Sequence, residues 1–287
     1  MSTAKFGRFG TAHQTSWDWR AAANFIGGGT GSALLALTVL VSLPGAADGP
    51  LALIALAFIG AGLACVWMEI GRPWRAFNVL FHPQTSWMTR EAYIAALIVV
   101  LFAASFVTGA APASFAAGLA ALLFLYAQAR ILRAARGIPA WREPAVVPLI
   151  IATGLVEGMS VLVLVQIVRG GATGWALALL FALVAGRGLA WTRYRSALLA
   201  SDAPRSTRAT LETMHRSLLF AGTAAPLVAA AIGVVAPGTV AVMGTVAALA
   251  ALGAGWHAKF LLVVRAAQVQ GYALGNKLRR GHPLAAR

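Results

Sequence analysis

Cysteine is nearly absent from this sequence: Cys65 is the only one in 287 residues. A single thiol excludes an intrachain disulfide and a four-thiolate iron–sulfur site. Cys65 lies inside an apolar run, where it reads as a small core hydrophobe. Charge is also scarce. Charged residues make up 11% of the chain, against about a quarter in an ordinary soluble domain. Acidic charge is scarcer still, with 8 Asp and Glu against 23 Lys and Arg. No Cys-x-x-Cys or His-x-x-x-His spacing occurs. The glycine-rich Gly27-Gly-Gly-Thr-Gly31 has no lysine after it and sits in an apolar run, so it is not a phosphate cradle. Segments of about ten residues with alternating polarity, the mark of a membrane β-barrel, are missing.

What the chain has in quantity is apolar surface. Hydrophobic residues make up 60% and the mean hydropathy is +0.78. Apolar runs fall at 20–43, 51–70, 91–110, 113–130, 146–168, 174–192, 216–236 and 239–264. Each reaches or approaches the ~20 residues that cross a bilayer as a helix. Breakers separate them: Pro44-Gly45, Gly49-Pro50, Gly71 and Pro73, Pro112, Pro139 and Pro144, Gly170-Gly171, Pro204 and Pro237-Gly238. The fold expected is all-α, a polytopic membrane protein with eight transmembrane helices arranged as two four-helix bundles. Residues 1–19 form a tail, 20–264 the membrane domain and 265–287 a basic tail. An even number of spans puts both termini on one side. The polar first 20 residues do not read as a cleavable signal peptide, so the first span is expected to serve as its own insertion signal. Glycines inside the first two spans suit close helix packing in lipid.

The net charge of +15 sits in the connections. Of the 23 basic residues, all but Arg169 fall at the face that carries the termini. By the positive-inside rule that face is cytoplasmic, and its partner is anionic lipid or an acidic protein rather than nucleic acid. Arg187, some six residues inside the sixth span, is expected to snorkel to that face. Glu157 stands about twelve residues into the fifth span, roughly 18 Å along the helix. It must be protonated or paired there. Proton handling, a ligand contact and a structural interhelical hydrogen bond all remain open for it. A haem held between His215 and His257 is a weaker reading than a histidine bonded to a neighbouring helix.

A polar island interrupts the apolar pattern between Trp67 and Glu91. It holds Glu69, Arg72, Arg75, His82, Arg90 and Glu91, with Trp67, Trp74 and Trp87 among them. The start of the first span, Trp17-Asp-Trp-Arg-Ala-Ala-Ala-Asn24, lies at the same face. A quinone headgroup asks for an apolar slot with aromatic walls, donors for two carbonyls, and a carboxylate or histidine near water to relay protons. An interfacial aromatic belt with charge pairs accounts for the same residues, and the residues alone favour it slightly.

The segment Ile70-Gly-Arg-Pro-Trp-Arg-Ala-Phe-Asn78, followed by Ser86-Trp-Met-Thr-Arg-Glu91, resembles the membrane-anchor subunits of molybdopterin oxidoreductases. These are the dimethyl sulfoxide reductase and polysulfide reductase anchors, which have eight spans. Trp17-Asp-Trp-Arg-Ala-Ala-Ala-Asn-Phe-Ile-Gly-Gly-Gly-Thr-Gly-Ser32 looks like their first-span pattern, so the specific motifs lie mostly within 17–91. The resemblance implies a subunit in a bacterial cytoplasmic membrane. It would exchange electrons between a docked ferredoxin-like iron–sulfur subunit and menaquinone or ubiquinone, without haem or an iron–sulfur cluster of its own. A further subunit would carry a molybdenum or tungsten pterin. Glu91 matches an acidic position of that family, and Asn24 a position near its quinone pocket. Where Glu69 stands, the dimethyl sulfoxide reductase anchors often have a histidine; a carboxylate can do the same work. On this reading Glu69 and Glu91 relay protons, and Asn24, Arg72, Trp87 and Arg90 bind the quinone. Gly255-Trp-His-Ala-Lys-Phe-Leu-Leu-Val-Val-Arg265 and the residues after it also look like the membrane subunit of phenylacetyl-CoA:acceptor oxidoreductase. A secondary transporter and a passive anchor without a quinone site are the rival readings.

Overall fold

The computed structural model describes residues 11–69, 73–171, 174–201 and 203–269. Eight helices in it are long and apolar enough to cross a membrane. They are α1 (Trp19–Ser42), α2 (Gly49–Glu69), α3 (Trp87–Thr108), α4 (Ala111–Ala134), α5 (Val146–Val168), α6 (Gly174–Ala200), α7 (Arg205–Val235) and α8 (Pro237–Arg265). The chain is an all-α, multi-pass membrane protein. Local chemistry sets the helix starts. Asp18 caps α1 by accepting from the Arg20 N–H at 2.8 Å. Ser86 caps α3 by accepting from the Thr89 N–H at 3.3 Å. That cap begins α3 four residues ahead of the apolar run expected from Glu91, so Glu91 sits inside the helix rather than at its mouth.

The first four spanning helices pack on one another, as do the last four, with α1, α4 and α5 meeting between the two groups and α1 also touching α8. α1 and α5 are the most buried spans, while α2 and α3 show most of their surface to the outside. α2 and α3 barely touch, which leaves a cleft between them. The α1–α2 contact is closer than side chains permit. A Cβ on Gly27 would stand 2.6 Å from the Phe58 carbonyl oxygen, and one on Gly31 would run into the Ala55 carbonyl. Backbone meets backbone there, and only glycine fits. Two short strands, β1 (Ala12–His13) and β2 (Gln268–Val269), pair antiparallel and bring the two described ends of the chain together.

Among the described basic residues at the charged end, two have fully buried side chains. Arg187 was expected to snorkel; it is 1% exposed and donates to the carbonyls of Ala251, at 2.8 Å, and Gly222. Gly222 lies in a π-helical stretch of α7, Ser217–Ala224, where the i→i+5 pattern disturbs the usual ladder. Lys259, one of the basic residues expected at that face, is also 1% exposed and pairs with Glu157. Both cations face inward because a carboxylate or carbonyl on another helix meets them.

On the opposite face, Asp48 and Arg169 pair at 2.8 Å, and Asp48 also accepts from the Leu51 N–H at 2.9 Å. The hydrogen bond from Arg169 holds the Asp48 carboxyl below its usual value. A lowered carboxyl pKa gives stability that is present above the unfolded value, near 4, and is lost as pH falls through the native value. The pair is more than a third exposed, so solvent screens it to about 0.5 kcal/mol. Asp48→Asn keeps the cap and should lower the melting temperature slightly at neutral pH. That difference should shrink as pH falls below about 4 in paired thermal melts of the two proteins.

Candidate functional site

The buried end of the island is built by α1, α2, α3 and α4. Glu91 is 5% exposed, and Asn24 of α1 donates to its Oε1 at 3.4 Å. Gln128 of α4, fully buried, fixes the Asn24 backbone by donating to its carbonyl at 3.0 Å. Two spaces flank this carboxylate. One is the cleft between α2 and α3, about 420 Å³, with Leu63, Val66, Trp67, Val79, Met88 and Glu91 among its walls. The other is narrow, about 40 Å³, and reaches from Glu91 past Asn24 to Glu69 and Trp17. Val66, Met88 and Glu91 line both, so the Glu91 carboxylate stands in the wall between them.

The connection after α2 shapes the cleft's mouth. Its 3-10 helix, Pro73–Phe81, is stitched to α3 by Thr89, which donates to the Val79 carbonyl, and by Tyr93, which donates to Leu80 O at 2.8 Å. Those two bonds put the Val79 side chain into the cleft. Arg20 ties the same end together by donating to Met68 O at 2.9 Å while pairing with Asp18 at 2.8 Å. That pairing lowers the Asp18 pKa.

Neither a family model nor a curated relative matches the chain.

The residues singled out from the sequence fall into three groups. Asn24, Glu69 and Glu91 come together around the narrow cavity. Trp87 and Arg90 belong to neither space. Arg90 donates to the carbonyls of Pro83 and Gln84, both at 2.8 Å, and its guanidinium lies 4.3 Å over the Trp87 ring. It secures the loop, and Trp67 rather than Trp87 is the tryptophan at the cleft. Arg72 lies outside the described residues. Glu157 sits apart, where the two helix groups meet. Its Oε2 accepts from Lys259 Nζ at 2.6 Å and from Thr30 Oγ1 at 2.9 Å. Lys259 also donates to Phe25 O at 2.9 Å, and Trp256 donates to Thr30 Oγ1 at 3.0 Å. Glu157 is thus paired, in a knot that joins α1, α5 and α8.

Sequence reasoning missed Gln128, Thr30 and the partnership of Lys259. Gln128 carried a signal, since an amide 17 residues past the Ala111 helix start in an apolar span has to find a partner. The two histidines weighed for haem have separate partners: His215 Nδ1 lies 3.1 Å from Trp191 Nε1, and His257 Nδ1 lies 3.0 Å from Ser217 Oγ. Glu212 and His215 have a Glu-x-x-His spacing, but Glu212 pairs with Arg195 at 2.6 Å. Among the described residues no three His, Cys, Asp or Glu side chains gather as a metal site.

Proposed function

We propose that this chain is the membrane anchor and quinone-reactive subunit of a multisubunit molybdenum- or tungsten-pterin oxidoreductase. It passes electrons between a docked ferredoxin-like iron–sulfur subunit and membrane quinone, either menaquinone or ubiquinone. The observation that carries the reading is the position of Glu91, a buried carboxylate between an apolar cleft at the protein's outer surface and a narrow cavity that Asn24 and Glu69 also line. The cleft's size falls within the ~300–1,000 Å³ typical of small-ligand sites. Its walls are aliphatic and aromatic, and its one ionisable side chain is Glu91. That suits a flat ring with an apolar tail arriving sideways from the bilayer.

Quinone chemistry takes up or gives up two protons together with two electrons. The chain's own residues would manage the protons. Glu91 exchanges one with the ring oxygen that reaches it, and Asn24 holds the carboxylate in line while Gln128 holds Asn24. Glu69, half-buried at the far end of the narrow cavity, refills or drains Glu91 toward the charged face. The cleft walls beside Glu91, Leu63, Trp67 and Met88, carry no ionisable group, so that exchange would run on the Glu69 side. The basic face offers an acidic iron–sulfur partner its grip.

An azido-quinone photolabel tests the reading. The label should attach to peptides of 60–67 and 79–92 and be displaced by excess quinone. Labelling spread evenly over all spans would remove the quinone site and leave a passive anchor. A secondary transporter is the second reading, because Glu157, Lys259 and Arg187 are three ionisable groups buried within the spans. Solute uptake into liposomes holding this chain alone would favour it.

A further inference from the structure

A second cavity, about 520 Å³, lies at the charged end of α3 and α4 and takes no part in the quinone reading. Thr85, Trp87, Arg130, Arg133, Arg136 and Arg142 line it. Its walls carry four guanidinium groups and no carboxylate. Among the described residues Arg130, Arg133 and Arg136 have no carboxylate partner within ion-pair distance. Arg130 is held in place instead. It donates to the Tyr126 hydroxyl at 2.5 Å and stacks 4.5 Å over the Trp87 ring, which Arg90 also contacts. Arg142 donates to the Arg136 carbonyl at 3.3 Å, which keeps the turn after α4 folded over the cavity. So many like charges around one space are costly unless an anion sits among them.

The surface beside the cavity narrows the choice of anion. Phe115, Leu119, Leu122, Tyr126, Arg130 and Arg133 recur at intervals of three and four, and so form one stripe of α4. Phe115, Leu119 and Leu122 are exposed, and all three line an apolar groove of about 340 Å³ against the end of α1. About 22 Å of helix separates Arg130 from Phe115, more than the ~15 Å half of a ~30 Å hydrocarbon core. An apolar track therefore runs from the arginines to the bilayer's depth. We propose that the arginine-lined cavity holds the phosphate headgroup of an anionic phospholipid, with an acyl chain along this stripe of α4. Charge and track fit one molecule. An acidic protein would use the charge and leave the track bare.

Native mass spectrometry of the full chain, delipidated and then offered phosphatidylglycerol or phosphatidylcholine in mixed micelles, tests this. The chain should retain phosphatidylglycerol in preference. Arg133 and Arg136 are exposed, so Arg133→Gln/Arg136→Gln should fold as the parent does, and it should retain that lipid about thirtyfold less well. Arg133→Lys/Arg136→Lys keeps the charge and should keep most of the preference, which separates lost charge from lost structure. Equal retention of the two lipids by the parent chain would overturn the proposal. Unchanged retention by the glutamine variant would also overturn it. So would displacement of the lipid by inorganic phosphate alone, which would make this a free-phosphate site. Intact lipid retention with loss of a co-purifying acidic chain would make it a protein contact instead.

Discussion

Lys259→Met should destabilise the protein by about 3–5 kcal/mol, the cost of leaving a buried charge without its partner. The pair it breaks is among the most enclosed in the molecule: Lys259 and Glu157 side chains are 1% and 0% exposed, 2.6 Å apart. Lys259 gives Glu157 one hydrogen bond and gives Phe25 O another, so the substitution strands an acceptor on α1 as well. Glu157 Oε1 has no bond to spare for the loss, being buried without a partner already. The same reasoning predicts a rescue. In Glu157→Gln/Lys259→Met the carboxylate is gone, and Thr30 can still donate to the amide oxygen. The double variant should regain most of the stability, because removing both charges avoids an uncompensated buried ion. Thermal unfolding in detergent of the parent, both single variants and the double variant measures the coupling. Equal losses that simply add would show that the pair is not coupled and would refute the packing described here.

Glu91→Gln should leave the complex assembled and cut quinone turnover by about 10²–10⁴-fold, the usual contribution of a positioned acid or base. Glutamine has the shape of glutamate and keeps a polar contact to Asn24, so the cleft stays formed. It cannot exchange a proton at neutral pH. Turnover should therefore fall at saturating quinone, while the quinone concentration for half-maximal rate changes little. Glu69→Gln should cost less, since Glu69 is half-exposed at the far end of the narrow cavity and water can replace it. Turnover of the purified complex with each variant, alongside a co-purification check, gives the answer. Unchanged turnover in Glu91→Gln would remove its proton role.

The eight spans were legible because a bilayer demands long apolar helices, and the chain spells them out between Pro and Gly breakers. The ends were less so. α3 begins at Trp87 because Ser86 caps it, whereas apolarity begins only at Glu91, and a helix need not start where its apolar run does. The burial of Glu91 follows from that offset, since the helix carries it against α1. The charge pattern misled in two places. Lys259 and Arg187 look like other basic residues near a span end, but their partners lie on different helices, with Glu157 102 residues before Lys259 in the chain. Position in the sequence carries no trace of such a pairing. Arg90 has a comparable history: next to Glu91 it looks like part of a headgroup site, and the loop carbonyls of Pro83 and Gln84 take it instead.

Isolation of the chain from its native membrane in mild detergent, with mass spectrometry of everything that accompanies it, tests the central proposal most directly. The account predicts a stoichiometric iron–sulfur protein and a large pterin-binding chain, and the assembly should reduce or oxidise added quinone. A chain that comes out alone under several gentle conditions, and moves a solute into liposomes, would contradict it.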